Sequence, residues 1–327
     1  MCPGGQPGSM TSHDVHGTPT ARRILGAAAA LATLPYVTMK IAWLTGNPVG
    51  VTDPRILEGA GMPVMNAITV LLDLCVVALA VALGSRTALR FPVLPVLLPA
   101  WVATGLLVPI ALVSLPMTLV LPPATATGMA TWVHPMVYGG FTVQGVCLLT
   151  AFALLARDRW GARVTTHHRA EGAARPLLRA LAGGGAVTAA VAAGLRVVGG
   201  WGSGDPVVLV PAVVTAVLIV IGVAGIVGLT AGRPGWPVAV AAWVGSAVAF
   251  ADGLYATATT MGATELAAGG GSPATGVAHV AGLLAGFALA VAGMLSMSGP
   301  GAALPGAGHG VPDEMRVQSP VARSAQG

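Results

Sequence analysis

Eight apolar stretches, each about 20 residues long and almost free of charge, punctuate the chain, and a helix of that length is what the roughly 30 Å hydrocarbon core of a bilayer requires. They lie near residues 24–46, 63–84, 92–114, 135–156, 177–199, 207–230, 235–257 and 276–298. Backbone crossing hydrocarbon must satisfy its own hydrogen bonds, so these stretches are expected to be helices. The expected fold class is an all-α integral membrane protein with eight transmembrane helices. Only 8% of the 327 residues are charged, against about 25% in a soluble domain, which excludes an ordinary cytosolic enzyme. The net charge of +5 does not indicate nucleic acid, because the arginines sit between apolar runs and form no basic face.

Where the arginines fall sets the expected orientation. Arg22 and Arg23 precede the first span, Arg86 and Arg90 follow the second, Arg233 follows the sixth, and Arg316 and Arg323 follow the eighth. The connection 157–176 adds Arg157, Arg159, Arg163, Arg169 and Arg175 on that same side. Asp53, Arg55, Glu58, Asp205 and Glu265 fall opposite. Both termini are therefore expected in the cytoplasm, across a bacterial cytoplasmic membrane. The tails 1–23 and 299–327, rich in small and polar residues, are expected to be disordered. Cys2, Cys75 and Cys147 have neither the number nor the spacing of a disulfide framework or a zinc site.

The chain carries an internal echo. Trp43, Gly46, Asn47, Pro48 and Val49 close the first span, and Trp201, Gly204, Asp205, Pro206 and Val207 close the fifth, 158 residues later. Pro95, Val96, Ala100, Trp101 and Val102 recur as Pro237, Val238, Ala242, Trp243 and Val244, at an offset of 142. A looser match joins the stretch from Ala130 to Phe141 with that from Ala274 to Phe287. Together they suggest a duplicated four-helix unit, residues 24–156 and 177–298. An even number of spans gives both units the same orientation, with the pseudo-twofold axis along the membrane normal. In the repeated turn, glycine ends the helix, a short polar side chain makes the bend and proline stops helical continuation. Trp43 and Trp201 are expected at the outer interface. Asp53-Pro54 is expected to cap a short surface helix in the longer first outer loop.

Ionisable groups inside spans are costly and mark interior contacts or pathways. Lys40 and Arg196 lie about 9 and 5 Å from the outer ends of their spans, and Asp252 about 8 Å. His134 and His279 begin the fourth and eighth spans on that side, near the depth of Tyr36, Tyr138 and Tyr255. Asp73 and Gln144 reach the middle, about 15 Å in. The candidate polar cavity is thus Lys40, Asp73, His134, Gln144, Arg196, Asp252 and His279, concentrated in the outer half. Snorkelling is the plainer role for the long cations, but a short carboxylate cannot reach the interface. Matching depths on spans running the same way predict an ion pair between Arg196 and Asp252, with Lys40 and Asp73 a looser counterpart. No phosphate-binding loop, His-Glu-x-x-His, Gly-x-Ser-x-Gly or Cys-x-x-Cys is present.

From Pro35 to Val51, with Tyr36, Lys40, Trp43, Gly46, Pro48 and Gly50, the chain resembles the first span of uncharacterised polytopic membrane proteins of actinobacteria, a resemblance that implies no activity. In architecture it is similar to haem A synthase, also built of two four-helix units, with histidines on the second and fourth helices of each. That similarity would give His134 and His279 to haem, but the second and sixth spans carry no histidine. The leading expectation is binding or transport of a small-molecule ligand through an outward-facing polar cavity. The alternatives are a membrane haem or quinone oxidoreductase and an accessory or structural protein in the lipid bilayer.

Overall fold

In a computed structural model, residues 17–58, 61–120, 128–166, 174–261 and 273–297 are described. The expectations for the distal tails and for residues 167–173 lie outside them. Among the described residues, eight helices are long and apolar enough to cross a membrane. They are α1 (Gly17–Leu44), α2 (Gly61–Gly84), α3 (Val93–Val120), α4 (Val133–Thr165), α5 (Ala174–Ser203), α6 (Pro206–Thr230), α7 (Trp236–Met261) and α8 (Pro273–Met297). Among the described residues there is no strand, only an isolated bridge between Val51 and Met129.

Several helices outrun their apolar stretches. α4 continues through Arg157, Asp158, Arg159 and Trp160 to Thr165, because hydropathy marks where hydrocarbon ends and nothing there breaks a helix. This shortens the basic connection expected at 157–176. α3 extends to Val120 through a π-helical turn, Ile110–Ser114, immediately after Pro109. Proline removes a backbone donor and clashes with the preceding turn, and the wider turn accommodates that break without ending the helix.

The exterior is apolar: Leu71 is 61% exposed and Leu94 66%, whereas the polar Asn66, Asp73, Thr104, Gln144 and Ser246 are buried. This inverts the distribution of a water-soluble protein and suits hydrocarbon as solvent. α1 packs on α2 and α4; α5 packs on α6 and α8; α7 lies against both α6 and α8. Small residues permit the closest approaches. Gly222 of α6 meets Gly245 of α7 backbone to backbone, and Gly105 of α3 meets the Ala247 carbonyl of α7. On α8, Ala278, Gly282 and Gly286 recur at four-residue spacing and are buried, and Gly286 sits against Phe250 of α7.

The α3–α7 contact is fastened reciprocally. Trp101 Nε1 donates to Ser246 Oγ at 3.1 Å, and Trp243 Nε1 donates to Thr104 Oγ1 at 3.0 Å. Trp101 also lies against Phe250, with ring centroids 4.7 Å apart, and Trp243 stacks on Phe152 at 5.1 Å. Buried indole and hydroxyl groups are thereby paired with one another across an apolar interface, as burial demands.

The repeated turn is used in two ways. After α1, Gly46 takes φ 86°, Asn47 N–H bonds Ala42 O and Gly46 N–H bonds Trp43 O, which closes the helix as a Schellman motif. The chain then folds back, Trp43 Nε1 donates to Val49 O at 2.8 Å, and the indole is only 8% exposed. After α5, Gly204 takes φ 65° and Asp205 caps α6 directly, accepting from Val207 N–H with Pro206 in the first turn. Trp201 remains 75% exposed. In the longer loop, Asp53 caps a single 3₁₀ turn, Pro54–Leu57, and Arg55 bonds both its carboxylate oxygens. Those bonds hold the Asp53 carboxyl below the usual carboxylate range.

Candidate functional site

Helical spacing puts Asn66, Thr69 and Asp73 on one face of α2. Lys40 of α1 donates from Nζ to Asn66 Oδ1 at 2.8 Å and lies over the Trp43 and Tyr36 rings, 4.4 and 5.2 Å from their centroids. The aromatic faces and the amide together solvate the ammonium where water is scarce. The Thr69 hydroxyl donates to Asn66 O at 2.9 Å. Asp73 is 5% exposed and Gln144 of α4 1% exposed, and Asp73 Oδ2 and Gln144 Oε1 are enclosed without a hydrogen-bond partner. The looser Lys40–Asp73 pairing takes a different form: no ion pair joins them, because Asn66, seven residues nearer the helix end, receives the ammonium. Asn66 and Asp73 share one face of α2, so it is the deeper position of Asp73 that separates it from the ammonium.

Arg196 of α5 and Asp252 of α7 form the ion pair expected from their depths. The Arg196 side chain is 9% exposed and that of Asp252 32%, so the pair is enclosed from one side. Their electrostatic field reaches His279 of α8. One turn on, Gly282 leaves room for the guanidinium, since a Cβ there would stand 3.3 Å from Arg196 Nη2. Tyr255, one turn from Asp252 on α7, interacts electrostatically with Tyr36 of α1 and Tyr138 of α4. The three tyrosines are thus within electrostatic reach of one another, with Tyr255 53% exposed. His134, at the start of α4, lies beside Tyr138 with ring centroids 6.0 Å apart, and Tyr36 meets Phe141 edge-on at 4.8 Å.

The two cavities described lie elsewhere. A shallow groove of about 450 Å³ on the apolar exterior is lined by Thr188 of α5 and Val277, Val280 and Leu284 of α8. A pocket of about 10 Å³ at the opposite end of the bundle lies among Arg163, Arg233 and Ser296. At that end the arginines also act within the fold. Arg22, 3% exposed, stands 3.9 Å from Asp158; Arg159 donates to Phe91 O at 2.7 Å; and Arg23 reaches the Gly84 carbonyl at the end of α2. Sequence position alone made Arg22 a flanking charge. Its burial follows from α4 continuing past its apolar stretch, which carries Asp158 alongside it.

Among the described residues, no cluster of three or more His, Cys, Asp or Glu is placed to hold a metal ion. A haem held by paired histidines within a unit does not fit these residues, because α2 and α6 carry none and His134 and His279 belong to different groups. The class defined by fold and site is a multi-span helical bundle with a polar interior in one half. Comparison with protein-family models, curated proteins and solved structures returned no match.

Proposed function

We propose that this chain is an integral protein of the bacterial cytoplasmic membrane that binds or transports a small polar solute through the half of its interior opening outward. The observation that carries this reading is the convergence of Lys40, Asn66, Tyr36, Tyr138, Tyr255, Asp252, Arg196 and His279 from α1, α2, α4, α5, α7 and α8 into one region. Packing alone does not require so many polar groups inside hydrocarbon, where each must be held by a partner. Both charge signs and several hydroxyls suit a zwitterionic or hydroxylated solute. Both termini face the cytoplasm, an orientation supported by the arginine distribution.

The bundle is a parallel duplication of a four-helix unit. The reading is supported by the reciprocal bonds of α3 and α7: the offset of 142 that carries Trp101 to Trp243 also carries Thr104 to Ser246, so each tryptophan donates to the counterpart of the other's acceptor. First helices pack on second and fourth helices in both units. The polar groups do not follow the repeat, since the counterpart of Asp252 is Ile110; the duplication supplies the frame, and divergence supplies the site.

Cysteines introduced at Thr69 and His279 test the solute path in membranes of a variant lacking Cys2, Cys75 and Cys147. A membrane-impermeant thiol reagent added from outside is expected to modify both, and to leave a cysteine at the lipid-facing Leu71 unmodified. Protection of Thr69→Cys and His279→Cys to the level of Leu71→Cys contradicts the reading.

A further inference from the structure

A buried ion pair offsets the removal of its charges from water only when hydrogen bonds also satisfy the remaining donors and acceptors. Arg196 and Asp252 do not meet that condition. Asp252 Oδ2 lies against Nη2 of the guanidinium, whereas Nε is enclosed and has no acceptor among the described residues. Arg196 Nη1 and Asp252 Oδ1 make no hydrogen bond among the described residues either, yet neither atom is enclosed. The pair therefore presents an open N–H edge beside an open carboxylate oxygen, and the contact between Nη2 and Oδ2 holds the two together.

Helix packing fixes this edge in place. Arg196 comes from α5 and Asp252 from α7, and α8 closes on both through small residues. A Cβ on Gly282 would stand 3.3 Å from Arg196 Nη2 and 3.2 Å from Ala249 O, and Gly253 of α7 lies against the His279 carbonyl of α8. The guanidinium side chain is 9% exposed, so its position is set by the bundle, while the more exposed Asp252 reaches solvent. The other cation in this half is already engaged, since Lys40 gives its hydrogen bond to Asn66 Oδ1 and lies over two aromatic rings. The charges of the pair select the ligand. A simple anion would be drawn to Arg196 and repelled by Asp252, and a simple cation would meet the reverse. A solute with a carboxylate and an ammonium on neighbouring atoms satisfies both groups and adds no net charge to the bundle.

We propose that Arg196 and Asp252 form the subsite for the head group of an α-amino acid. Its carboxylate accepts from Arg196 Nη1 and its ammonium donates to Asp252 Oδ1. Because the protein's own two charges are in contact, the two charges of the solute must also be close, as they are on a single carbon and are not at the ends of an extended chain. This assignment rests on the proposed solute path and names the class of solute that it carries. Outside labelling of Thr69→Cys and His279→Cys in a protein that binds no amino acid would keep the path and remove the subsite. Amino-acid binding with both cysteines protected would keep the subsite and remove the path.

The test is thermal unfolding of the full-length protein in detergent, with each of the protein-forming α-amino acids added separately. A ligand that binds only the folded state raises the midpoint, and the dependence on its concentration gives the dissociation constant. At least one amino acid is expected to do so. For that amino acid, the analogue without the ammonium, the analogue without the carboxylate and 4-aminobutyrate should each bind at least about tenfold more weakly, the loss expected when one charge-assisted bond is removed. Asp252→Asn and Arg196→Gln should weaken binding of the amino acid to a similar degree. Should either variant fail to fold, the analogue series on the wild type decides alone. No shift with any of the amino acids overturns the proposal. Equal binding of the carboxylate or the amine analogue would identify a site for a single charge and overturn it as well. Undiminished binding by folded Asp252→Asn would put the amino acid elsewhere, with the same consequence.

Discussion

Replacing Gly105 with valine is expected to be among the most destabilising single changes in the bundle. A Cβ at this position meets the Ala247 carbonyl of α7, with Ala251 Cβ at 2.6 Å, and a helix backbone cannot yield as a side chain can. Overpacking of a tight interface costs about 1–3 kcal/mol, more where backbone must move. Separation of α3 from α7 would also strain the bonds Trp101–Ser246 and Trp243–Thr104, each a net contribution of about 1 kcal/mol. The combined loss is about 3–5 kcal/mol. Thermal unfolding in detergent, followed by tryptophan fluorescence, checks it against Gly139→Val on α4, where a Cβ meets nothing within 4 Å. Equal midpoints for the two variants would mean that the α3–α7 approach is not close.

Asp252→Asn is the second large effect. It leaves the Arg196 guanidinium enclosed without a counter-charge, and breaking a fully buried pair from one side costs about 3–5 kcal/mol. The Asp252 side chain is 32% exposed, so solvent screening reduces the expected loss to about 2 kcal/mol. The informative variant is the exchange of the two, Arg196→Asp with Asp252→Arg, which restores opposite charges on α5 and α7. It should recover at least half of the stability lost by either single change. A double-mutant cycle whose effects simply add would leave the two groups close but energetically independent.

The properties that run along the chain were legible in its sequence. Hydropathy located the eight long helices, and Asp53-Pro54 read correctly as a cap because its chemistry is local; Asp205-Pro206 read as a turn, whereas Asp205 also caps the helix that follows. The Arg196–Asp252 pair followed from depth because both side chains also happen to point into the space between α5, α7 and α8. Lys40 and Asp73 differ in depth by about 6 Å, and Asn66, on the same face of α2 as Asp73 but nearer, took the ammonium. The spacing Asn66, Thr69, Asp73 carried that information, since three polar residues on one face of an apolar helix define its interior side. Nothing in the sequence marked Arg22 as buried. Its burial depends on α4 continuing past the apolar stretch to carry Asp158 alongside it.

The account depends most on which face of the bundle is outside, because an outward-opening polar interior requires the Trp43 end to face out. Single cysteines at Glu58 and Thr165, in a variant without Cys2, Cys75 and Cys147, report the two faces directly. With a membrane-impermeant thiol reagent on intact cells, Glu58→Cys is expected to be labelled and Thr165→Cys only after lysis. Labelling of Thr165→Cys in intact cells, with Glu58→Cys protected until lysis, would place the polar half toward the cytoplasm and contradict the account.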